Sequence, residues 1–248
     1  MIMKDLGNEA NEGFSGNEEL YDALIGAIRR ALADTDSRGH PGLFITFEGG
    51  DGSGKTTQVR RIAQVLTEAG IPVLATREPG GTELGTGLRK LVMHGPEDVD
   101  PRTEALLYAA DRAYHVATVI RPALVGGMVV VEDRYIDSSV AYQGAARELG
   151  SGEIRGLSEW ATEGLEPDIT VLFDVDSVVG IARTGSDLDR LERSGEDFHQ
   201  RVRDSYLQMA EAEPERFIVV DASGDVESVF RDAIESLTDG VASLGIDA

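Results

Sequence analysis

Leu43-Phe44-Ile45-Thr46-Phe47-Glu48-Gly49-Gly50-Asp51-Gly52-Ser53-Gly54-Lys55-Thr56 is the stretch whose reading decides the fold. A short apolar run stops at a glycine-rich turn, and a helix-like pattern begins at once. That strand, loop and helix context gives physical meaning to the match with G-x-x-x-x-G-K-[ST]. Glycines let the backbone curl so that successive N–H groups point inward at phosphate oxygens. The helix that follows adds its positive N-terminal end to the same spot. Gly49, Gly50, Asp51, Gly52, Ser53, Gly54, Lys55 and Thr56 are therefore the expected phosphate cradle. Lys55 can reach the outer phosphates, and the Thr56 hydroxyl is placed to hold Mg²⁺.

Downstream of this loop strands and helices alternate, the pattern of a parallel sheet covered on both faces. Strands are predicted at 71–76, 128–132, 169–174 and 216–221. Helices are predicted near 54–69, 83–93, 101–125, 137–149, 151–163, 177–183, 198–211 and from 225 onward. The polar segment 184–197 reads as a flap. Ligands on such sheets sit beyond the C-terminal ends of the strands, and each notable motif falls there. Arg77 leaves the second strand directly into the turn Glu78-Pro79-Gly80-Gly81-Thr82. Asp133 stands at the tip of a buried strand, suited to hold Mg²⁺ directly or through water, and Arg134 beside it can clamp a phosphate. Tyr108 and Arg112 are four apart on a predicted helix and share one face, so a ring and a guanidinium could meet a nucleobase together. Ser138-Ser139-Val140-Ala141-Tyr142-Gln143-Gly144 offers further polar groups.

Residues 1–42 differ from the rest. Met1 to Gly16 is polar and Gly-rich without periodicity, an expectation of disorder. Asn17 to Ala33 reads as an amphipathic helix with Leu20, Leu24, Ile28 and Leu32 on one stripe. The segment 34–42 reads as a linker, so the expected organisation is an extension (1–42) followed by one α/β domain (43–248). Whether the helix docks on the body or is dispensable is open at this stage.

Composition narrows the partners. The 248 residues include no cysteine, which removes disulfides and thiolate chemistry. Four scattered histidines lack zinc-ligand spacing. No apolar run approaches the roughly 20 residues of a membrane span, and the polar, acidic N-terminus does not read as a secretory signal. Cytoplasmic localisation is the default expectation. A formal net charge of -22 at pH 7 argues against nucleic acid as partner. Lys4, Lys55 and Lys90 are the only lysines, so nearly all positive charge is arginine. Arginines gathered near a phosphate loop in an acidic chain are candidate phosphate clamps.

Taken together, Gly49 to Thr56, Arg77 to Thr82, Tyr108 to Arg112, Asp133 to Tyr135 and Ala141 to Gly144 closely resemble bacterial thymidylate kinases. Glu166-Pro167-Asp168 before a strand and Asp189-Arg190-Leu191-Glu192 in the flap fit as well. The resemblance spans about 43–238. It implies a P-loop NTPase three-layer fold with a five-stranded parallel sheet, and transfer of the ATP γ-phosphoryl group to dTMP. It also implies Mg²⁺ dependence and a homodimer. By the same resemblance Gly49 to Thr56 cradle ATP, and Asp51 faces the acceptor sugar. Arg77 and Arg134 hold the dTMP phosphate, and Tyr108 stacks on thymine. Arg112 and Gln143 read its polar edge, Ser139 and Tyr142 line the pocket, Arg89 helps from the neighbouring helix, and Asp133 serves Mg²⁺.

The acceptor phosphate oxygen is largely deprotonated already, so the chemistry needs positioning and charge neutralisation and no general base. The family places a catalytic arginine in the loop or in the flap. Gly52 stands where a loop arginine would be, so Arg190 is the expected catalytic arginine, with Arg183 and Arg193 behind it. Two other readings stand beside dTMP phosphorylation: another deoxynucleoside or nucleotide kinase, and a non-catalytic nucleotide-binding module. The phosphate-clamping segment Arg77 to Thr82 counts against a nucleoside acceptor.

Overall fold

β-Branched and aromatic residues crowd the strands of this chain, which the computed structural model describes over residues 17–34, 39–185 and 190–244. Five strands form one parallel sheet: β1 (Leu43–Glu48), β2 (Val73–Arg77), β3 (Val129–Asp133), β4 (Ile169–Asp174) and β5 (Phe217–Asp221). Their spatial order is β2-β3-β1-β4-β5. All six residues of β1 and all five of β3 are buried, as strands covered on both faces must be. Because the strands are parallel, Glu48, Arg77 and Asp133 all emerge at one edge of the sheet; Arg77 is in register with Asp133, and Asp133 with Phe47.

Ten α-helices are described. α1 (Glu18–Ala33), α2 (Lys55–Glu68) and α10 (Val226–Ser243) bury their apolar faces with Ile45, Phe47 and Val171 in one core. The other face of the sheet packs against α4 (Pro101–His115) and α5 (Arg121–Val125), together with α6 (Ile136–Ser139) and α7 (Ser151–Thr162), around Phe44 and Val130. α3 (Glu83–His94) lies along α4. α8 (Ser177–Arg183) and α9 (Glu196–Ala212) complete the set.

Two predicted helices are interrupted by π-helical turns. The stretch predicted at 101–125 passes through one at Val116–Ile120, just before Pro122, which has no N–H to donate. The stretch predicted at 137–149 becomes α6 followed by a π-helical turn over Val140–Ala146. Such turns are frequent at functional sites, and this one carries Tyr142 and Gln143.

The stripe foreseen on α1 is real but rotated. Leu24, Ala27, Ile28 and Ala31 are buried, whereas Leu20 and Leu32 are half-buried. α1 packs along α10 and joins the main core, so the helix is part of the body and not a separate extension. The expectations for residues 1–16 lie outside the described residues. No helix among the described residues is long and apolar enough to cross a membrane.

Candidate active site

The turn after β1 is shaped by close backbone approach. Gly52 has φ +71°, and a side chain there would collide with the Gly180 carbonyl of α8. An L-residue would be strained on both counts, which accounts physically for a loop without an arginine at this position. Gly54, also at positive φ, is the residue that opens α2. Lys55 Nζ folds over the loop, donating to the Gly50 carbonyl at 2.9 Å and to Ser53 Oγ at 3.4 Å. Burial and the neighbouring Arg134 lower its pKa to about 8. Thr56 Oγ1 donates to Asp133 Oδ2 at 2.5 Å, joining the start of α2 to the tip of β3.

Arg134 follows that tip with φ +70°, an uncommon conformation for a residue with a side chain. The turn swings its guanidinium back over the loop. It donates to the Gly49 carbonyl at 3.1 Å and to Asp51 Oδ1 at 2.7 Å. Tyr142 donates its hydroxyl proton to the other Asp51 oxygen at 2.8 Å. Burial opposes ionisation of Asp51, yet Arg134 and Lys55 hold its carboxyl below the usual range. Arg77 is exposed, and its guanidinium has no hydrogen-bond partner among the described residues. These groups border one cleft of about 340 Å³, which Arg89, Met93, half-buried Tyr108, Ser139 and Gln143 also line. Arg89 donates to the Pro79 carbonyl at 3.0 Å.

Two arginines stand differently from expectation. Arg112 is only 2 % exposed. Its Nε donates to Glu78 at 2.8 Å, and its NH groups donate to Ser158 Oγ, the Tyr135 carbonyl and Ser139 Oγ. Most of its donors are thus committed to the protein, and little remains to read a base. Arg190 is 8 % exposed and does not border the cleft. It donates to the Val92 carbonyl and, at 2.5 Å, to Glu104. In this arrangement it ties the flap to α3 and α4 and offers no charge to a phosphate. Arg183 caps the Ala222 and Ser223 carbonyls, and Arg193 pairs with Glu97. Among the described flap residues, Leu191 and Glu192 reach the cleft.

Sequence reasoning also passed over four buried acids. Glu48 ends β1 and accepts from the Tyr135 amide, Ser138 Oγ and Tyr206 Oη at 2.6–2.9 Å. It fixes the segment after β3, and an acid closing an apolar run beside the loop was its available signal. Glu78 receives Arg112 and lies 3.1 Å from His115 Nδ1, with Glu132 3.2 Å from the same nitrogen. Burial alone would lower the His115 pKa, but Glu132 and Glu78 raise it to about 10. Burial and Glu78 push Glu132 up to about 8, against the pull of His115. This cluster anchors Arg112 and the turn after β2. The fourth acid, Glu104, is wholly buried and receives Gln143, Arg147 and Arg190.

The geometry agrees with what the chain is similar to. A family model described as thymidylate kinase matches residues 47–233. A thymidylate kinase of Leifsonia xyli is 59 % identical over 192 residues, covering 76 % of this chain and 91 % of that protein. One from Bifidobacterium longum is 54 % identical over 199 residues, covering 79 % and 96 %. The crystal structure of thymidylate kinase from Ehrlichia chaffeensis superposes with a TM-score of 0.66 at 35 % identity, covering 78 % of this chain and 97 % of that one. A phosphate loop, two arginine-bearing strand ends and this extent of similarity have one common reading: the chain belongs to the thymidylate kinase family.

Proposed function

We propose that the chain carries out its family's reaction, ATP-dependent phosphorylation of dTMP to dTDP, with the residues of this cleft in the following roles. The observation that carries the assignment of roles is the exposed Arg77 guanidinium, which faces the same cleft as the Lys55 loop. The loop amides from Gly49 to Thr56 hold the β- and γ-phosphates of ATP, and Lys55 neutralises charge that spreads over the transferred group. Arg77 and Arg134 hold the dTMP phosphate in line, and Arg89 supports that end. Tyr108 stacks on thymine, and Tyr142 with Asp51 borders the sugar. Ser139 lines the pocket, while Gln143 reads the base edge; Arg112 chiefly holds Ser139 and the turn at Glu78. Arg190 can serve the γ-phosphate only after leaving Glu104.

Thr56 Oγ1 and Asp133 Oδ2 lie side by side at the loop, an all-oxygen donor pair that suits Mg²⁺. Held by these two residues, the ion would supply positive charge to offset that of the phosphates. A homodimer fits the exposed Leu84 and Leu91 of α3, seven residues apart, and Leu106 and Tyr114 on the adjoining α4. Cytoplasmic localisation fits the cysteine-free composition.

The test is a coupled ATP-consumption assay with Mg²⁺ across nucleoside monophosphates and thymidine. Turnover with dTMP above all others supports the reading. Phosphorylation of thymidine in preference to dTMP, or nucleotide binding without turnover, overturns it.

A further inference from the structure

Glu104 belongs to none of the motifs that carry the resemblance, yet it receives the cleft residue Gln143 together with two arginines. It sits in the first turn of α4 with no exposed surface. Its Oε1 accepts from Gln143 Nε2 at 2.9 Å and from Arg147 Nε at 3.4 Å. Its Oε2 accepts from Arg190 at 2.5 Å and from Arg147 at 3.4 Å. Gln143 in turn is 1 % exposed and borders the cleft, and its Oε1 has no hydrogen-bond partner among the described residues.

We propose that Glu104 is a positioning residue for base selection: it locks the Gln143 amide in the one orientation that matches a 4-oxo pyrimidine. The proposal rests on the reading that Gln143 meets the base. An amide has two faces that differ by a half-turn, one placing its oxygen and the other its nitrogen at a given point. A carboxylate can only accept, so the group beside Glu104 must be the Gln143 NH₂. With one N–H so engaged, the amide turns Oε1 and its second N–H to the cleft. The 4-oxo edge of thymine offers the complement, an acceptor at O4 and a donor at N3. A 4-amino pyrimidine offers the reverse, a donor at N4 and an acceptor at N3. To suit it, Gln143 would have to flip, which sets its oxygen against the Glu104 carboxylate. Two buried lone-pair groups facing each other without a proton between them are costly. The selection therefore comes from a residue that need not touch the substrate.

The probe pair is dTMP and 5-methyl-dCMP, which differ only at that edge. The expected wild-type behaviour is strong preference for dTMP in kcat/KM. Glu104→Gln can donate as well as accept, frees the amide to flip, and is expected to lower the dTMP to 5-methyl-dCMP ratio about tenfold or more. Glu104→Asp keeps an acceptor-only group and is expected to hold the ratio within about threefold. Arg147→Met removes a guanidinium from the same carboxylate without touching the amide, and the ratio should not move. A ratio unchanged in Glu104→Gln, while Gln143→Leu lowers it, overturns the proposal and leaves the Gln143 reading intact. A ratio unchanged in Gln143→Leu overturns that reading and the proposal with it. Should Glu104→Gln not fold, nitrogen-15 spectra of the wild type decide. One Gln143 side-chain amide proton is expected to exchange at least tenfold more slowly than those of exposed Gln208. Two fast-exchanging protons overturn the lock.

Discussion

Replacing Ile28 with alanine is expected to destabilise the whole protein while leaving its kinetics intact. Ile28 is fully buried where α1 packs along α10, in the same core as Leu43, Ile45 and Phe47 of β1. Removing three buried carbons leaves a cavity in a close-packed interior, which costs about 2–5 kcal/mol. For a chain of this length each kcal/mol moves the melting temperature by about 2–4 °C. A central value of about 3 kcal/mol thus lowers the midpoint by about 9 °C. Deleting α1 removes Leu24 as well and exposes the α10 face beneath, a loss of about 3–6 kcal/mol from two large side chains alone. Against a total stability of about 5–15 kcal/mol, that deletion leaves little margin. No α1 residue borders the cleft, so the folded fraction should retain its KM for dTMP and ATP. Thermal unfolding followed by circular dichroism, with steady-state assays at a temperature well below the midpoint, measures both quantities. Midpoints within 2 °C of wild type for Ile28→Ala and for the truncated chain would refute this account of the core, the 2 °C bound being about the shift for a loss of 1 kcal/mol.

Other outcomes follow from the cleft. Lys55→Ala should reduce kcat by about 10²–10³-fold or more with unfolding unchanged, because Lys55 acts on transition-state charge; near-normal turnover would remove its role. Arg77→Ala should raise the KM for dTMP by about 10–100-fold with a smaller change in the KM for ATP, since charge-assisted bonds to the acceptor are lost. An unchanged KM would assign the acceptor to another arginine. Lys55 has a pKa of about 8 in the empty cleft, and an arriving polyphosphate favours the charged amine. At pH 8 binding of a non-hydrolysable ATP analogue should therefore take up as much as about 0.5 proton per site, falling to none from Lys55 at pH 6, where both states are protonated. Calorimetry in buffers of differing ionisation enthalpy reads this directly, and Lys55→Ala should abolish the uptake.

What the sequence disclosed was set by local rules. The loop glycines, the apolar strand runs and the acids and arginines at strand tips are legible because a strand end fixes where the next residues lie. The sheet and its order of elements followed from that alternation. Side-chain destinations across long sequence separations were not legible. Arg112 shares a helical face with Tyr108, yet Glu78, 34 residues away, claims it. Arg190 sits in the flap as foreseen, yet it is drawn to Glu104, 86 residues away. An arginine count in a segment says nothing of which buried carboxylate will compensate it. The rotated stripe of α1 has the same cause, since the helix angle is chosen by the α10 face it meets.

The pairing of Arg134 with Asp51 has a consequence for life in a crowded cell. A guanidinium without a partner can hold a small anion such as chloride or orthophosphate, which a true substrate would then have to evict. Here the carboxylate at 2.7 Å occupies that post already, a tethered counter-ion that cannot diffuse off. A nucleotide that engages the loop as well can displace it, whereas a single small anion gains too little to do so. Arg134 is thereby screened until a ligand with two points of attachment arrives, while the exposed Arg77 in the same cleft stays open.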